Sequence, residues 1–384
     1  MSSDDWRLET LAAQALHRLD EGTGGVIAPW QPATTYARRP QDYQPTAEGY
    51  VYGRADNPTV RLAEEVIARL HGGEECLLFA SGLAAIASVF RSLPAGSHVA
   101  VQGEGYFGTL KWLREYAPRL GIDLTFFEAG DLLTLKSALR PGATALVWIE
   151  TPANPLWTVT DIAAAAEAAH RVGAMLAVDN TAASPVLTRP LKHGADLVFE
   201  SATKYLNGHS DVLAGALVAP DTGTDLWQQL IVERHSAGPI LGAFEAWLLV
   251  RGMRTVHLRV RQACTSALEI AEALRDHPKV ERVRYPGLPE DRGHAVAAQQ
   301  MEGGFGGMLS FEVQGGAEAA LRVVSRLCLI IPATSLGGVE SLIEHRATIE
   351  GAHSDVPPGL LRLSVGIENP DDLIADLVHA LEPG

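Results

Sequence analysis

Apolar runs with strand character alternate with helical stretches along the chain as far as Val218, and this alternation predicts a doubly wound, mostly parallel α/β sheet. Two further observations shape the prediction. Two of the runs, Ala174-Met175-Leu176-Ala177-Val178 and Leu197-Val198-Phe199, lie about one βαβ crossover apart, and each is followed by a polar residue, Asp179 and Lys204. From about Ala243 the pattern changes to a long helical region and then isolated strands, which predicts a smaller α+β domain. The expected division is an arm over residues 1–55, an α/β domain over 56–242 and an α+β domain over 243–384.

The arm is irregular, because Gly22-Thr23-Gly24-Gly25 and Pro29-Trp30-Gln31-Pro32 break any periodicity. So long a stretch without elements needs something to hold it, and another subunit would serve. Asn57 then caps a helix that has Pro58 at its first position and Leu62, Val66 and Leu70 as its buried stripe; Gly72-Gly73 ends it. Cys76-Leu77-Leu78-Phe79 reads as a strand, followed by Ala80-Ser81-Gly82-Leu83 and an alanine-rich helix. A strand, a small-residue turn and a helix N-terminus make a place for an anion. Val99-Ala100-Val101 and Leu146-Val147-Trp148-Ile149 continue the sheet, the latter closed by Glu150-Thr151-Pro152-Ala153-Asn154-Pro155. In the second domain the helical region runs from Ala243 through Leu248, Leu258 and Leu268 to Leu274. Strands follow at Val280–Val283 and Met308–Val313, then a helix over Leu321–Leu327. Leu361-Arg362-Leu363-Ser364-Val365 alternates as a half-buried strand, and Asn369-Pro370 opens a last helix.

A net charge of -15 argues against a nucleic-acid partner. No apolar run is long enough for a bilayer, no metal-ligand spacing stands out, and the three cysteines form no CxxC pair. The opening Met1-Ser2-Ser3-Asp4-Asp5 lacks the regions of a signal peptide, so a reducing, cytoplasmic setting is expected.

Lys204 is one of only five lysines. An amine and a carboxylate at one sheet edge suit pyridoxal phosphate: Lys204 would form the Schiff base, Asp179 would hold the pyridine nitrogen protonated, and the hydroxyls of Ser201 and Thr203 would reach the phosphate. A rival reading takes Ser201-x-x-Lys204 as the serine–lysine pair of an acyl enzyme, but Ser210-Asp211-Val212 and Ser354-Asp355-Val356 lack the completing asparagine and no K-T-G occurs.

Seven motifs then occur in order: Tyr52-Gly53-Arg54 with Asn57-Pro58-Thr59, Phe79-Ala80-Ser81-Gly82, Glu150-Thr151-Pro152-x-Asn154-Pro155, Val178-Asp179-Asn180-Thr181, Ser201-Ala202-Thr203-Lys204-Tyr205, Ser335-Leu336-Gly337-Gly338-x-Glu340-Ser341-Leu342 and Leu361-Arg362-Leu363-Ser364-Val365-Gly366. With them the chain resembles, from about Gly24 to Leu381, the Cys/Met-metabolism pyridoxal-phosphate enzymes. Cystathionine γ-synthase, cystathionine γ- and β-lyase, methionine γ-lyase and the homoserine sulfhydrylases belong to that family. The resemblance implies a PLP-dependent transferase of fold type I, with a mostly parallel seven-stranded sheet and a smaller α+β C-terminal domain. It implies a homodimer at least, and a homotetramer by expectation. Lys204 would be the Schiff-base lysine and proton carrier, and Asp179 the partner of the pyridine nitrogen. Ser81, Gly82, Leu83, Ser201 and Thr203 would hold the phosphate, completed by Tyr52 and Arg54 of a neighbouring subunit. Tyr106 would stack on the ring, Asn154 would lie near the ring oxygen, Arg362 would clamp the substrate α-carboxylate, and Ser335 would lie near the substrate.

The chain also departs from the family's pattern. Thr334 stands where synthases and many γ-lyases carry glutamate and β-lyases tend to carry tyrosine. Lys111 stands where cystathionine-handling members often place an arginine for the distal carboxylate; it reads equally as a helix-surface charge. Phe107 replaces a small residue, and Glu344-His345-Arg346-Ala347-Thr348 differs from the common proline- and methionine-containing version. The expected activity is a C–S lyase on cystathionine or a related sulfur amino acid. The alternatives are γ-replacement on an O-acylhomoserine and a catalytically silent cofactor-binding protein.

Overall fold

In a computed structural model, residues 6–47, 49–351 and 356–382 are described; the expected features at Met1–Asp5 and at Ser354-Asp355 lie outside them. The first sheet comprises β1 (Glu75–Phe79), β2 (His98–Gln102), β3 (Asp123–Phe127), β4 (Thr144–Glu150), β5 (Met175–Asp179), β6 (Leu197–Glu200) and β7 (Gly215–Ala219). Among the described residues it is seven-stranded, in the order β1-β7-β6-β5-β4-β2-β3. All neighbouring pairs are parallel except those of β7, which runs antiparallel to both β1 and β6. The fold expectation holds; β7 is the run that ends the alternation at Val218, and β3 is a further strand with no apolar run to announce it. β3 sits at the sheet edge with mostly uncovered residues, so Asp123-Leu124-Thr125 shows no continuous apolar run.

The arm holds a short helix, α1 (Leu8–Gln14), whose Leu11 and Ala12 pack into the main core. The sheet is flanked by α2 (Pro58–His71), α3 (Gly82–Arg91), α4 (Phe107–Tyr116), α5 (Leu132–Ala138), α6 (Ile162–His170), the single turn α7 (Ser184–Leu187) and α8 (Asp225–Ala237). Asn57 caps α2 as expected: its side chain accepts from the N–H groups of Thr59 and Val60, and Gly72 closes the helix in the left-handed region.

The expected single helical region after Ala243 is two helices, α9 (Ala243–Met253) and α10 (Val256–Arg275), broken at Arg254-Thr255. α9 packs against α2, and Ala246, Leu249 and Met253 belong to the same core as the sheet helices. α10 changes sides along its length. Val256, Val260 and Cys264 face that first core, while Ala267, Ile270 and Leu274 face the second. The two cores therefore divide within α10 rather than at residue 243, because a long helix can serve one body with each half.

The second sheet, built of β8 (Val280–Arg284), β9 (Met308–Val313), β10 (Ile331–Pro332), β11 (Leu342–His345) and β12 (Leu360–Ser364), has the order β10-β11-β12-β9-β8. α11 (His294–Gln300), α12 (Gly316–Arg326), α13 (Arg346–Glu350) and α14 (Pro370–Leu381) complete the chain. β12 is buried at every residue, not half-buried as its alternation suggests. Leu361 and Leu363 enter the second core, Arg362 reaches Asn154 of the first domain, and the Ser364 hydroxyl accepts from the Gly337 N–H, so its polar residues are covered too.

Candidate active site

The register of β5 and β6 pairs Val178 with Val198 and Asp179 with Phe199, so both strands end at the same sheet edge. Beyond β6 the chain turns through Ser201 to Lys204, while the β1–α3 turn delivers Ser81, Gly82 and Leu83 to the same place. The result is a crevice of about 200 Å³ whose wall includes all of these residues together with Tyr106, Asn154 and Thr203. A crevice at the carboxyl ends of parallel strands is where open α/β sheets bind ligands.

The Lys204 Nζ donates to Ser335 Oγ at 2.8 Å. Burial, and then the charge of Arg362, lower the lysine to about 8, so a useful fraction is a neutral, nucleophilic amine near neutral pH. Ser335 itself has φ 121°, a conformation side-chain-bearing residues rarely adopt, and its carbonyl accepts from Arg362 Nη2 at 2.9 Å. One strained residue thus touches both the amine and the guanidinium.

Asp179 is 3% exposed, and its Oδ1 accepts from the Thr181 N–H at 3.0 Å. Burial pushes its carboxyl up to about 7. A ring N–H placed against it would supply the missing partner and restore the carboxylate. Glu150 braces the same edge: its Oε2 accepts from the Tyr106 N–H at 2.6 Å and its Oε1 from the Asn154 N–H at 2.8 Å. Burial and the charge of Asp179 push Glu150 well above the carboxylate range. The sequence motif contains Glu150, but nothing in the sequence marks it as the residue joining the Tyr106 and Asn154 segments.

Ser81 is the N-cap of α3; its Oγ accepts from the Ala84 N–H at 3.1 Å, which leaves the first N–H groups of the helix facing the crevice wall. A Cβ on Gly82 would lie 3.2 Å from both Phe199 and Ser201 Oγ, so only glycine leaves this cradle open. The Ser201 N–H is taken by Thr181 Oγ1 at 2.8 Å. Thr203 Oγ1 donates to the Ala214 carbonyl at 3.2 Å and accepts from the Ala214 N–H at 2.9 Å, so its hydroxyl also pins the following loop. The open cradle, the buried acid awaiting a donor and the lysine of lowered basicity fit pyridoxal phosphate.

Arg362 stands one layer behind the wall, 4% exposed. Its Nη1 donates to Asn154 Oδ1 at 3.3 Å, and its Nη2 lies 2.9 Å from Glu344 Oε2. Its Nε–H is buried and has no partner among the described residues. Burial lowers the guanidinium to about 10. Glu344 is a second residue the sequence reading did not assign to the site.

Six expected residues lie outside the crevice wall: Ser335 and Arg362, joined to Lys204 and Asn154 by the hydrogen bonds above, and Tyr52, Arg54, Lys111 and Thr334. Tyr52 and Arg54 line a separate hollow with Gly238 and Ile240; the Arg54 guanidinium sits 5.8 Å from the Tyr52 ring centroid and donates to the His235 carbonyl. Lys111 is exposed on α4 and is not part of the crevice wall. Thr334 donates its hydroxyl to Glu344 Oε1 at 2.6 Å and faces a hollow of about 530 Å³ that shares Thr203 and Leu213 with the crevice. Among the described residues no group of His, Cys, Asp and Glu is arranged to hold a metal, and no helix is long and apolar enough to cross a membrane.

The family model described as "Cys/Met metabolism PLP-dependent enzyme" matches residues 9–382. The chain is 41% identical over 378 residues to the cystathionine gamma-synthase of Mycobacterium tuberculosis, covering 97% of this chain and 96% of that one. It is 38% identical over 395 residues to the cystathionine beta-lyase MetC of Bacillus subtilis, covering 100% and 98%. Among solved structures, that of metB from Corynebacterium glutamicum superposes with a TM-score of 0.93 at 39% identity, covering 98% of each chain. The lysine, acid and glycine cradle at the sheet edge and these whole-length matches agree: the chain belongs to the Cys/Met metabolism family of PLP-dependent enzymes.

Proposed function

We propose that the chain is a carbon–sulfur lyase that eliminates the sulfur substituent of cystathionine or a related sulfur amino acid. The observation that carries this reading is the crevice wall. Lys204 is its one basic side chain among the described residues, and Leu83, Ile86, Phe199, Leu213 and Leu336 make much of the rest. Such a wall suits the apolar thioether at the bond that breaks; the distal amino-acid end of cystathionine carries its own charges and would lie outside it, towards the adjoining hollow.

Bound pyridoxal phosphate supplies an electron sink conjugated to the substrate amine. The residues of the chain do the rest. Asp179 would keep the ring nitrogen protonated, and its own burial makes it a strong acceptor for that proton. Arg362 would take the substrate α-carboxylate through donors its protein partners leave free. Lys204 Nζ would remove the proton from the substrate Cα and return one at the carbon next to the departing group, a task suited to an amine lowered to about 8. Tyr106, held through its backbone by Glu150, would stack on the ring and lend its hydroxyl to the leaving sulfur.

A second reading, γ-replacement on an O-acylhomoserine, is supported by the adjoining hollow beside Thr334 and Ser335, which has room for an incoming thiol. We assign Tyr52 and Arg54 to the phosphate site of a neighbouring copy, which makes at least a dimer, and place the enzyme in the reducing cytoplasm, where its three free cysteines stay reduced. Product analysis over cystathionine, methionine, homocysteine, cysteine and O-acylhomoserines tests the proposal. Pyruvate or 2-oxobutyrate released from cystathionine is the expected result. Cystathionine formed from an O-acylhomoserine and cysteine, without keto acid, would establish replacement. Tight cofactor binding with no product from any substrate would establish a silent binding protein.

A further inference from the structure

Glu344 lies directly opposite Arg362 across the β11–β12 ladder, so the two side chains share one face of the sheet. Their separation is 2.9 Å, and both side chains are 5% exposed. Left to itself this pair would be a neutral unit, and a substrate carboxylate would have to displace a carboxylate already in place. The structure shows two groups holding Glu344 from the other side. Arg346 Nη1 donates to the same Oε2 at 2.6 Å, closer than Arg362, and the Thr334 hydroxyl donates to Oε1 at 2.6 Å. Arg346 is in turn fixed by Glu350, whose Oε1 accepts from its Nη2 at 2.6 Å and from its Nε at 3.2 Å. The chain Arg362–Glu344–Arg346–Glu350 balances in charge, and Arg362 keeps a buried Nε–H without a partner among the described residues. Burial alone would raise Glu344, yet Arg362, Thr334 and Arg346 together hold it below the usual carboxylate range, so it remains a full negative charge.

We propose that Arg346 is a positioning residue that, with Thr334, holds the Glu344 carboxylate back so that Arg362 stays available to the α-carboxylate of the amino-acid substrate. The inference rests on the reading of Arg362 given above. It also gives Arg346 and Thr334, two of the places where this chain departs from its family's pattern, one shared task.

The test is made on the cofactor-loaded enzyme with two ligand classes, followed by the spectral change on binding and by turnover. One class is amino acids, including L-alanine, which has no leaving group; the other is a simple alkylamine, which has no carboxylate. Arg346→Met should weaken amino-acid binding and raise KM by ~10–100-fold, with kcat within about 3-fold and alkylamine binding unchanged, since a hydrogen bond to a charged group is worth that much. Glu344→Gln with Arg346→Met should restore amino-acid binding to within about 5-fold, because the competing charge leaves with its holder. Thr334→Val, which disturbs no charge, should raise KM by about 3–10-fold and carries the comparison if Arg346→Met does not fold. Unchanged KM in both single variants, or a double variant no better than Arg346→Met, overturns the proposal. If the unaltered enzyme binds alkylamine as tightly as L-alanine, the assignment of Arg362 fails instead, so the two failures are told apart.

Discussion

The basicity of Lys204 can be measured before any substrate is known. Only the neutral amine attacks the aldehyde of pyridoxal phosphate, so covalent capture by the apoenzyme should follow the neutral fraction. Burial and the neighbouring Arg362 lower Lys204 from 10.5 to about 8. Below both values that shift raises the neutral fraction about 300-fold over an ordinary lysine. Stopped-flow absorbance at a fixed cofactor concentration should therefore show capture rising about tenfold per pH unit and levelling near pH 8. Arg362→Gln removes the second cause and leaves the opposing pull of Glu344, so the midpoint should move up while burial keeps it below 10.5. A lysine lowered on folding is penalised as a cation. That cost is present below about pH 8 and disappears as pH rises towards 10.5, so Lys204→Met apoenzyme should be the more stable protein at pH 7 but not at the upper limit. A capture rate still climbing tenfold per unit at about pH 9.5 would show an ordinary, solvated lysine and refute the reasoning.

Other consequences follow from the same geometry. Asp179→Asn should retain bound cofactor but lose about 100-fold or more in turnover, because the neutral amide no longer stabilises a protonated ring nitrogen; full activity would remove Asp179 from the mechanism. Gly82→Val should weaken cofactor affinity at least ~10-fold, since its side chain enters a cradle where a Cβ already meets Phe199 and Ser201 at 3.2 Å; fluorescence titration of the apoenzyme measures it. Arg259 donates to the carbonyls of Tyr205 and Gly252, each at 2.8 Å, and to that of Leu206 at 3.4 Å, pinning the turn just after the lysine. Arg259→Met should therefore lower apoenzyme stability by about 2–5 kcal/mol in chemical denaturation, and a loss under 1 kcal/mol would contradict that role.

What the sequence discloses and what it hides separate along one physical line. Asp179 and Lys204 are legible because each follows a continuous apolar run, and parallel strands of similar length must deliver their ends to the same edge. The glycine cradle is legible because the strand, the small-residue turn and the helix cap are contiguous in the chain. Glu150 and Glu344 are not legible. Each acts by bridging segments remote in sequence, Tyr106 with Asn154 in one case and Arg346 with Arg362 in the other, and no local pattern marks a bridge. β12 misleads for a related reason: alternation says which residues are polar, but only the packed second domain shows that Arg362 and Ser364 turn towards other protein rather than water. Lys111 is exposed on α4 and is not part of the crevice wall, as the surface-charge reading expects, and spacing along the helix does not choose between that reading and a distal-carboxylate role. The residues that make the cofactor chemistry general to the family are thus carried by local signals, and those that tune the site in this chain are carried by long-range contacts. Affinity for amino acids as a class should accordingly respond most to changes around Glu344, where Thr334 and Arg346 meet.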